Sequence, residues 1–309
     1  MIGVQEVNPA VTDIKKFIIQ FGELVRASGE DLPAQWAEEK IDSIKNRQEY
    51  CYAAVDGNRI LGIAVFSQKE GRGFSFVSWE NEEVDREALL LLVREYVSRL
   101  SPSSWLRISG IHPNIPEETM TSVCAGLGFQ KKKRIEMSRG LADTPEATEP
   151  EGSFALVPIT DFTESVLSRL DWESYRNTPD EGLFANSAEE NEKMMHSLLT
   201  GDYGPVIKNA SVCAVNDGNP IAMIAVTDMG DKAFLADLSV SQNYRRKGLG
   251  RFLITRAMKE AALLRKKEMS LWVSEENLGA FALYKQLGFS ELRSGTYYVR
   301  KSMAENAVK

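Results

Sequence analysis

The chain of 309 residues is long for a single hydrophobic core, so two domains are expected. Its hydrophobic content of 43% and charged content of 26% are ordinary for a globular protein, and its net charge of −7 argues against nucleic-acid binding, which requires a basic surface. The longest apolar run is far shorter than the ~20 residues of a membrane span, and residues 1–9 lack the basic and apolar regions of a signal peptide, so we expect a cytoplasmic protein that binds neither nucleic acid nor membrane.

The three cysteines, Cys51, Cys124 and Cys213, lie far apart in the sequence. None belongs to a CxxC motif, and none has a nearby pair of histidines. This pattern predicts free buried thiols rather than a disulfide framework or a zinc site, so we expect no metal.

In chain order, the apolar periodicity of the first half predicts alternating helices and strands. The predicted helices are 13–28, 33–48, 85–100 and 117–127, and the predicted strands are a hairpin at 53–65 and then 74–79, 105–111 and 131–138. The last strand begins with the basic run Lys131–Arg134. In an acidic chain, such a run indicates a solvated edge strand, because lysines discourage further strand pairing.

A segment rich in Pro, Gly, Thr and acidic residues, Gly140–Gly152, interrupts this pattern. A stretch with so few apolar residues is typical of a solvated linker. We therefore predict a first domain at 1–140, a linker at 141–152 and a second domain at 153–309.

The second half repeats the same order of elements. The predicted helices are 163–170, 188–199, 248–265 and 278–287, and the predicted strands are 154–159, a hairpin at 214–226, 233–240, 268–273 and 297–301. Strands that are first paired by a hairpin and later alternate with helices predict an α/β fold, with a mixed sheet and helices on both faces.

Two pairs of similar segments indicate an internal duplication. The hairpin Ala53–Val65 resembles Ala214–Val226 at a separation of 161 residues, and both contain an Asp-Gly-Asn turn. Leu127–Phe129 and Leu287–Phe289, both Leu-Gly-Phe, are 160 residues apart. Two matched landmarks at nearly one separation predict a repeated unit of about that length.

The segment Leu238–Gly250 has a composition suited to phosphate. A largely apolar run, Ala233–Val240, predicts a buried strand, the basic turn that follows contains Gly248 and Gly250, and helical periodicity then begins. The first N–H groups of a helix lack intrahelical acceptors, and glycines let an anion approach the backbone. A Walker loop is excluded because Gly250 is followed by Arg-Phe, and a dinucleotide fingerprint lacks its third glycine.

Two motifs in the second half give a family resemblance. Arg245–Gly250, which reads Arg-Arg-Lys-Gly-Leu-Gly, fits the (Arg/Gln)-x-x-Gly-x-(Gly/Ala) signature of GCN5-related N-acetyltransferases. Asn277–Tyr284, followed by Leu287–Phe289, resembles the family's second motif, Asn-x-x-Ala-x-x-x-Tyr-x-x-x-Gly-Phe. The chain as a whole therefore resembles a tandem member of this superfamily, with two domains that each contain a mixed, mostly antiparallel sheet flanked by helices.

The resemblance implies transfer of an acyl group from acetyl-CoA, as cosubstrate, to an amine. It implies a strand that diverges from its neighbour and binds the pantetheine arm, a loop that binds the pyrophosphate, and Tyr284 as the acid that protonates the departing thiolate. The residues implied to bind coenzyme A are Leu238, Ser239, Val240, Arg245, Arg246, Lys247, Gly248, Leu249, Gly250, Arg251, Asn277, Phe281 and Tyr284. Asn277 also fits a helix N-cap.

The general base and the acceptor remain open at the level of the sequence. The local carboxylates are Asp237, Glu275 and Glu276, and a water relay is an equal alternative. Strand alternation places Asp237 with Ser239, on the face opposite Leu238 and Val240.

Acceptor contacts are expected from the less regular segment Asp171–Phe184. Its aromatic residues Trp172, Tyr175 and Phe184 suit either a pocket or the core. His196 is interpreted as a packed helix residue.

The first half offers an internal comparison. Leu238 and Val240 correspond to Val77 and Trp79, and the phosphate loop corresponds to Glu80–Leu90, which contains five acidic residues and no glycine. Asn277 and Tyr284 correspond to Glu117 and Cys124. Because carboxylates repel a diphosphate, we hypothesise that the first unit keeps the fold without binding coenzyme A.

Two functions are therefore compared. The first is an N-acetyltransferase that acts on a small-molecule or peptide amine by direct transfer, as a monomer or homodimer, and Tyr284 favours it. The alternative is a non-catalytic sensor or scaffold that binds coenzyme A, and the lack of an identified base leaves it open.

Overall fold

A computed structural model describes residues 1–7, 12–27, 32–67, 74–79, 84–99, 106–109, 114–185 and 187–300. The chain divides into two compact units. Unit 1 comprises Met1–Lys132 and Gly295–Lys309, and unit 2 comprises Lys133–Ser294. This division differs from the predicted one at 1–140 and 153–309, and the segment predicted as a linker, 141–152, lies within unit 2.

Unit 1 contains a sheet in the order β1-β2-β3-β4-β5. Its pairs are antiparallel except for β4 with β5, which is parallel. The elements are β1 (Ile2–Glu6), α1 (Thr12–Ala27), α2 (Trp36–Lys45), β2 (Glu49–Asp56), β3 (Arg59–Ser67), β4 (Phe74–Trp79), α3 (Arg86–Arg99), β5 (Leu106–Ser109) and α4 (Glu117–Gly126), after which β6 (Gln130–Gly140) begins.

Unit 2 contains a sheet in the order β6-β11-β10-β9-β8-β7. Only the pair β10 with β11 is parallel. The elements are β7 (Ala155–Pro158), α5 (Glu164–Tyr175), α6 (Ala188–Thr200), β8 (Val212–Asn216), β9 (Asn219–Met229), β10 (Lys232–Val240), α7 (Leu249–Leu263), β11 (Glu268–Ser274), α8 (Leu278–Gln286) and β12 (Ser290–Arg300). The predicted α/β fold, a mixed and mostly antiparallel sheet flanked by helices in each unit, is confirmed.

The boundary between the units follows from two strands that pair away from their own half of the sequence. Strand β6 pairs in unit 2 with β11, and Arg134 lies opposite Ser274. The end of β12 pairs in unit 1 with β5, and Tyr297 lies opposite Ser109. The predicted domains assigned each strand to the half that encodes it, because strand periodicity does not specify the partner strand.

The basic run at the start of β6 is not an edge strand. From Arg134 on, β6 is paired with β11, and it lies beside the first part of β12, where Arg293 Nε donates a hydrogen bond to Glu136. Lys131 forms an ion pair with Glu117 at 2.7 Å, and Lys133 forms one with Glu275 at 2.9 Å. The interpretation as a solvated edge strand was wrong, because the charged side chains have partners on neighbouring elements.

Helices cover both faces of the sheet of unit 2. Alternate residues of β9, Ala222 and Ile224, lie in the core beneath α7 and α8, whereas Met223 and Ala225 pack against α5 and α6. A strand with both faces buried in this way belongs to the centre of a sheet. Thr163 caps α5, where its hydroxyl accepts a hydrogen bond from Val166 N at 3.4 Å, an interaction worth about 1 kcal/mol.

The two hairpins repeat, with a corrected separation. One residue bulges from the second strand of each, Leu61 in β3 and Ile221 in β9. These bulges are 160 residues apart, so the Asp-Gly-Asn letters that matched at 161 are displaced by one residue. Gly57 occupies the turn position of Asp217, and both have positive φ, 59° and 48°. Turn residues tolerate such substitution, which is why identical letters gave the wrong separation.

Other predicted bounds differ modestly. Strand β1 was not predicted, α5 extends five residues past the predicted end at 170, and β12 begins at Ser290 rather than 297. Predicted bounds that lie outside the described residues are Ser28, Leu100, Trp105, Ile111 and Lys301. Among the helices of the described ranges, none is long and apolar enough to cross a membrane.

Candidate active site

A groove in unit 2 opens where two parallel strands separate. Strands β10 and β11 pair only from Lys232 to Phe234 on β10. Beyond Phe234, β10 continues to Val240 with β9 as its partner on the other edge. The groove beside the end of β10 has a volume of about 710 Å³, and its walls come from the segment after α5, the loop before α7 and the start of α8. The predicted divergence of this strand from its neighbour is therefore present.

Most of the residues expected to bind coenzyme A line this groove. Those that do so are Leu238, Ser239, Val240, Arg245, Arg246, Gly248, Leu249, Gly250, Arg251 and Asn277. Three others, Lys247, Phe281 and Tyr284, lie outside its lining. Lys247 places its ammonium group 5.1 Å from the Tyr244 ring, and Phe281 is half-buried against the core.

The loop before α7 leaves the first turn of that helix open to the groove. Arg246 and Gly248 have positive φ, 62° and 86°, so the chain turns sharply before Leu249 begins the helix. The first intrahelical hydrogen bond comes from Phe252 N to Gly248 O, at 3.0 Å. The N–H groups of the first turn therefore have no intrahelical acceptor and carry partial positive charge, as an anion site requires.

Gly250 is not required by packing. A Cβ atom at this position would contact only methyl carbons of Leu283, Leu238 and Val240, at 3.8–3.9 Å. The glycine therefore leaves its N–H group uncovered without relieving any clash. Gly248, by contrast, needs the freedom of glycine because of its positive φ.

The basic side chains of the loop have different roles. Arg245 donates from Nε to Val240 O at 3.1 Å and also donates to Ser174 O, so its guanidinium ties the loop to the strand end and to α5. Arg251 donates to Gln286 on α8. Arg246 is exposed and lines the groove, so it is the cation best placed to meet a diphosphate.

Asn277 caps α8 and also lines the groove. Its Oδ1 accepts a hydrogen bond from Ala280 N at 3.2 Å, which confirms the predicted N-cap. Its Nδ2 donates to the buried carboxylate of Asp180 at 2.8 Å, and Asp180 also accepts a hydrogen bond from Ser274. This carboxylate, which sequence reasoning missed, fixes the orientation of the amide.

Tyr284 is buried in the core of unit 2, where its ring packs edge-on against Phe289 at 5.8 Å between centroids. Burial raises the pKa of Tyr284 above its ordinary value, the negative charge of Asp237 adds to the rise, and the positive charge of Arg134 opposes it. The hydroxyl therefore keeps its proton at neutral pH, as a proton donor must.

A cluster of polar side chains lies on the α5 side of β10. Tyr175 donates a hydrogen bond to Asp237 Oδ1 at 3.2 Å, and Ser239 donates to Asp171 Oδ1 at 2.6 Å, with Asp237 Oδ1 at 3.3 Å from the same hydroxyl. Asn191 donates from Nδ2 to Asp171 Oδ2 at 3.0 Å. Asp237 and Ser239 thus share the face opposite Leu238 and Val240, as strand alternation predicted.

The environment of this cluster disfavours negative charge. Burial raises the pKa of Asp237 well above its ordinary value, and the neighbouring Asp171 carboxylate raises it further. Burial likewise raises the pKa of Asp171, which the hydrogen bonds from Ser239 and Asn191 partly offset. The pKa of Tyr175 is raised well above its usual value, chiefly by burial and then by the charge of Asp237. A carboxylate held in this state binds a proton strongly near neutral pH.

The other sequence candidates lie away from this cluster. Glu275 is exposed and pairs with Lys133, and Glu276 is also exposed. His196 is exposed, with Nδ1 at 2.8 Å from Glu164 Oε1, so the expectation that it is packed in the interior was wrong. A position on a helix predicted burial, but the neighbouring glutamate gives this residue a polar partner at the surface.

The aromatic candidates divide between groove and core. Tyr175 lines the groove. Phe184 packs between Tyr175, at 5.5 Å between ring centroids, and the guanidinium of Arg134, at 4.7 Å. Trp172 is half-buried outside the groove lining. The polar positions on α5 that sequence reasoning missed, Ser168 and Asp171, could have been found from their helical spacing on a face that otherwise packs against the sheet.

The equivalent positions of unit 1 are filled. Trp79 lies opposite Gly62 in the β3–β4 register, as Val240 lies opposite Ala222 in the β9–β10 register, so the predicted correspondence of Trp79 with Val240 is confirmed. Trp79 is 2% exposed, and its ring lies so close over Gly62 that a Cβ there would be 2.7 Å from Cζ3. An indole therefore occupies the position that borders the groove in unit 2.

The helix that follows β4 has its own anion. The Asp85 carboxylate accepts hydrogen bonds from Glu87 N at 2.9 Å and Ala88 N at 3.0 Å, at the start of α3. These are the N–H groups that the corresponding helix of unit 2 presents to its groove. Glu117 and Cys124 stand at the positions of Asn277 and Tyr284, and burial raises the pKa of Cys124 to about 12. The predicted acidic residues 80–83 lie outside the described residues.

Metal ligands are not gathered in this part of the molecule. Within the described ranges, no group of three or more His, Cys, Asp or Glu side chains has the arrangement of a metal site. The three cysteines are free and buried. The chemistry of the groove is therefore built from hydrogen-bond donors, carboxylates and tyrosines.

Comparison with known proteins identifies relatives for unit 2. The model of the Acetyltransferase (GNAT) family matches residues 159–289. An uncharacterized N-acetyltransferase of Methanocaldococcus jannaschii is 33% identical over 87 residues, which cover 26% of this chain and 38% of the relative. The ribosomal protein bS18-alanine N-acetyltransferase of Escherichia coli is 35% identical over 92 residues, 28% of this chain and 61% of the relative. The chain thus spans less than two thirds of the length of either relative.

Solved structures resemble the whole chain. A GCN5-related N-acetyltransferase from Sphaerobacter thermophilus has a TM-score of 0.58 at 16% identity, covering 97% of this chain and 95% of the other. A tandem GNAT protein from the clavulanic acid biosynthesis pathway has a TM-score of 0.53 at 12% identity, covering 98% and 99%. At this level of identity the likeness shows the fold alone.

Proposed function

The chain belongs to the GNAT superfamily through residues 159–289, and on this premise we propose that it is an N-acetyltransferase that transfers the acetyl group of acetyl-CoA to a small-molecule or peptide amine in unit 2. The observation that carries the proposal is the groove itself. Diverging strands lead to an uncovered helix N-terminus at one end, and a carboxylate and two tyrosines, Asp237, Tyr175 and Tyr284, lie beside the strand.

The residues of the groove suit the parts of acetyl-CoA. The unpaired edge of β10 from Leu238 to Val240 offers backbone groups to the pantetheine arm and to the thioester oxygen. The first-turn N–H groups of α7 and the Arg246 side chain suit the diphosphate. When bound, the thioester supplies an activated acyl group, and every proton transfer is left to the protein and water.

Asp237 is proposed as the proton acceptor. An ammonium acceptor with a pKa near ~10.4 must lose a proton before its nitrogen can attack. Asp237 takes that proton, directly or through one water, and its raised pKa makes it a stronger base than an ordinary aspartate. The freed nitrogen then forms a bond with the thioester carbonyl carbon, and the carbon–sulfur bond breaks.

Tyr284 is proposed to protonate the sulfur that leaves. Its buried hydroxyl gives a proton to the thiolate, and the proton that the new amide nitrogen loses restores the tyrosine. One proton per turnover stays on Asp237 and passes to solvent, so charge and atoms balance. Because a thiolate with a pKa near ~8.5 is a fair leaving group without help, we expect Tyr284→Phe to lower kcat by about 10- to 100-fold rather than abolish it.

The test is thiol release from acetyl-CoA in the presence of a panel of amines. The panel includes aminoglycosides, amino acids, polyamines and a peptide with an N-terminal alanine, since one relative is named for acetylating an alanine. We expect release that requires one class of amine, that Tyr284→Phe slows, and that Gly250→Glu removes by placing a carboxylate at the anion site.

A matched control is Leu263→Glu, which adds the same carboxylate at the far, exposed end of α7, where Leu263 is 77% exposed. It is expected to retain activity. Tight binding of acetyl-CoA without release for any amine would contradict the proposal and favour a sensor of coenzyme A.

A further inference from the structure

We propose that Asp171 is a positioning residue that acts through Asp237: the two carboxylates hold one proton between them, and the charge of Asp171 sets the basicity of Asp237. The inference rests on the proposed function, since it explains how that base is tuned. It is distinct from it, because the shared proton is a property of the free protein.

The geometry places one hydroxyl between two carboxylates. Ser239 is 1% exposed, and its single hydroxyl hydrogen faces Asp171 Oδ1 at 2.6 Å and Asp237 Oδ1 at 3.3 Å. One hydrogen cannot satisfy both acceptors. Two ionised carboxylates at this separation in a buried site repel each other strongly, so one of them retains a proton.

The surrounding donors determine which carboxylate is ionised. Asp171 is 5% exposed, and each of its oxygens accepts a hydrogen bond, Oδ1 from Ser239 and Oδ2 from Asn191 at 3.0 Å. Asp237 receives only the longer hydrogen bond from Tyr175, at 3.2 Å, and the distant Ser239 hydroxyl, both at the same oxygen. Asp171 is therefore the anion, and Asp237 carries the proton.

The charged and titratable groups around Asp237 come from four elements. From α5 come Asp171 and Tyr175, from the segment after α5 comes Asp180, from α8 comes Tyr284, and from β6 comes Arg134. Within the described residues, neither Asp171 nor Asp237 forms an ion pair with a lysine or arginine. The charge of this pair is thus balanced by a proton instead of a cation.

Unit 1 provides a natural comparison that lacks the pair. Ser78 occupies the register position of Ser239, is likewise buried, and donates its hydroxyl to Phe17 O at 3.0 Å. The register position of Asp237 is held by Phe76. The repeated fold therefore forms with a serine bonded to a carbonyl and no carboxylate on the strand. Because the fold does not require the pair, a role in unit 2 beyond folding follows.

The consequence for catalysis concerns the doubly ionised pair. In that state Asp237 accepts a proton from the acceptor ammonium, and the fixed negative charge of Asp171 strengthens its hold on that proton. Removing the charge makes Asp237 a weaker base that loses its proton at lower pH. Removing the Ser239 hydroxyl has the opposite effect, because that hydrogen bond stabilises the ionised carboxylates.

The experiment is a carboxyl carbon-13 NMR titration of the full chain labelled at aspartate. The Asp237 signal is identified by its loss in Asp237→Asn. We expect it to titrate well above the ordinary midpoint of about 3.9, to move down by about one pH unit or more in Asp171→Asn, and to move up in Ser239→Ala. The charge control Asp202→Asn, at an exposed carboxylate after α6, is expected to leave the midpoint within about 0.2 units.

The two variants give opposite signs, so the inference can fail clearly. An Asp237 midpoint that is the same in wild type and Asp171→Asn overturns it, and so does a midpoint in Ser239→Ala that falls or stays. If Asp171→Asn does not fold, Ser239→Ala decides, since that change is nearly isosteric.

Kinetics then separate this inference from the proposed function. The acidic limb of the pH profile of kcat/KM is expected to follow the NMR midpoint in each variant. A midpoint that moves while the limb stays overturns the role of Asp171 in catalysis. If wild type acetylates no amine, the proposed function fails, whereas the NMR titration still decides whether the proton is shared.

Discussion

At the scale of single residues, Asp237 shows how a site can be stabilising or destabilising according to pH. Its pKa is raised in the folded chain, first by burial and then by Asp171. A carboxyl group with a folded pKa above its unfolded pKa favours folding at low pH, and that contribution is lost as pH rises from about 4 through the raised value. Above that window the buried charge lowers the free energy of unfolding.

This linkage predicts the effect of Asp237→Asn on stability. The amide keeps a donor for Asp171 and an acceptor for Tyr175 but cannot ionise, so the variant escapes the loss above the window. We expect its unfolding temperature to exceed that of wild type at pH 8 and to approach it near pH 4, where both side chains are neutral. Scanning calorimetry across this range measures the difference. A variant that is less stable than wild type at pH 8 would contradict the assignment of a raised pKa.

Single residues were predictable where a motif fixes them and not where a fold brings them together. The Asn277 cap and the placement of Asp237 with Ser239 followed from helix and strand geometry. The pairing of Asp171 with Asp237 joins residues 66 positions apart, and no local pattern encodes that approach. Arg245 carries the motif, but the structure commits its guanidinium to two carbonyl groups.

At the scale of elements, the same strand–turn–helix unit occurs twice with different termini. The helix after β10 opens on Gly248 and uncovered N–H groups, whereas the helix after β4 opens on the carboxylate of Asp85. Most helices and strands were predictable from their periodicity. The pairing of β6 and β12 was not, because a strand's sequence specifies its faces and leaves its neighbours to the tertiary fold.

The filled groove position of unit 1 gives a prediction for packing. A Cβ at Gly62 would lie 2.7 Å from Cζ3 and 2.8 Å from Cδ2 of the buried Trp79 ring, so Gly62→Ala forces the indole to shift. We expect this overpacking to lower the free energy of unfolding by about 1–3 kcal/mol. The matched control is Gly3→Ala on β1, where nothing lies within 4 Å of the added atom, with an expected change within about 0.5 kcal/mol. Denaturant unfolding measures both, and equal effects of the two changes would show that the indole does not fill this position tightly.

At the scale of the whole molecule, the chain contains two copies of one fold, and only unit 2 combines a groove, an open helix terminus and a proton-accepting cluster. Sequence comparison of the halves already indicated this asymmetry through the acidic residues after Trp79. The structure adds the physical reason at described positions: an indole, a capping carboxylate and a buried thiol stand where unit 2 has Val240, free N–H groups and Tyr284.

The measurement that tests this account most directly is the stoichiometry of acetyl-CoA binding to the full chain by isothermal titration calorimetry. We predict one molecule bound per chain. Gly250→Glu should abolish binding, and Leu263→Glu should leave one site. Two molecules bound per chain, or one site that survives Gly250→Glu, would contradict the claim that the groove of unit 2 alone holds the acyl donor.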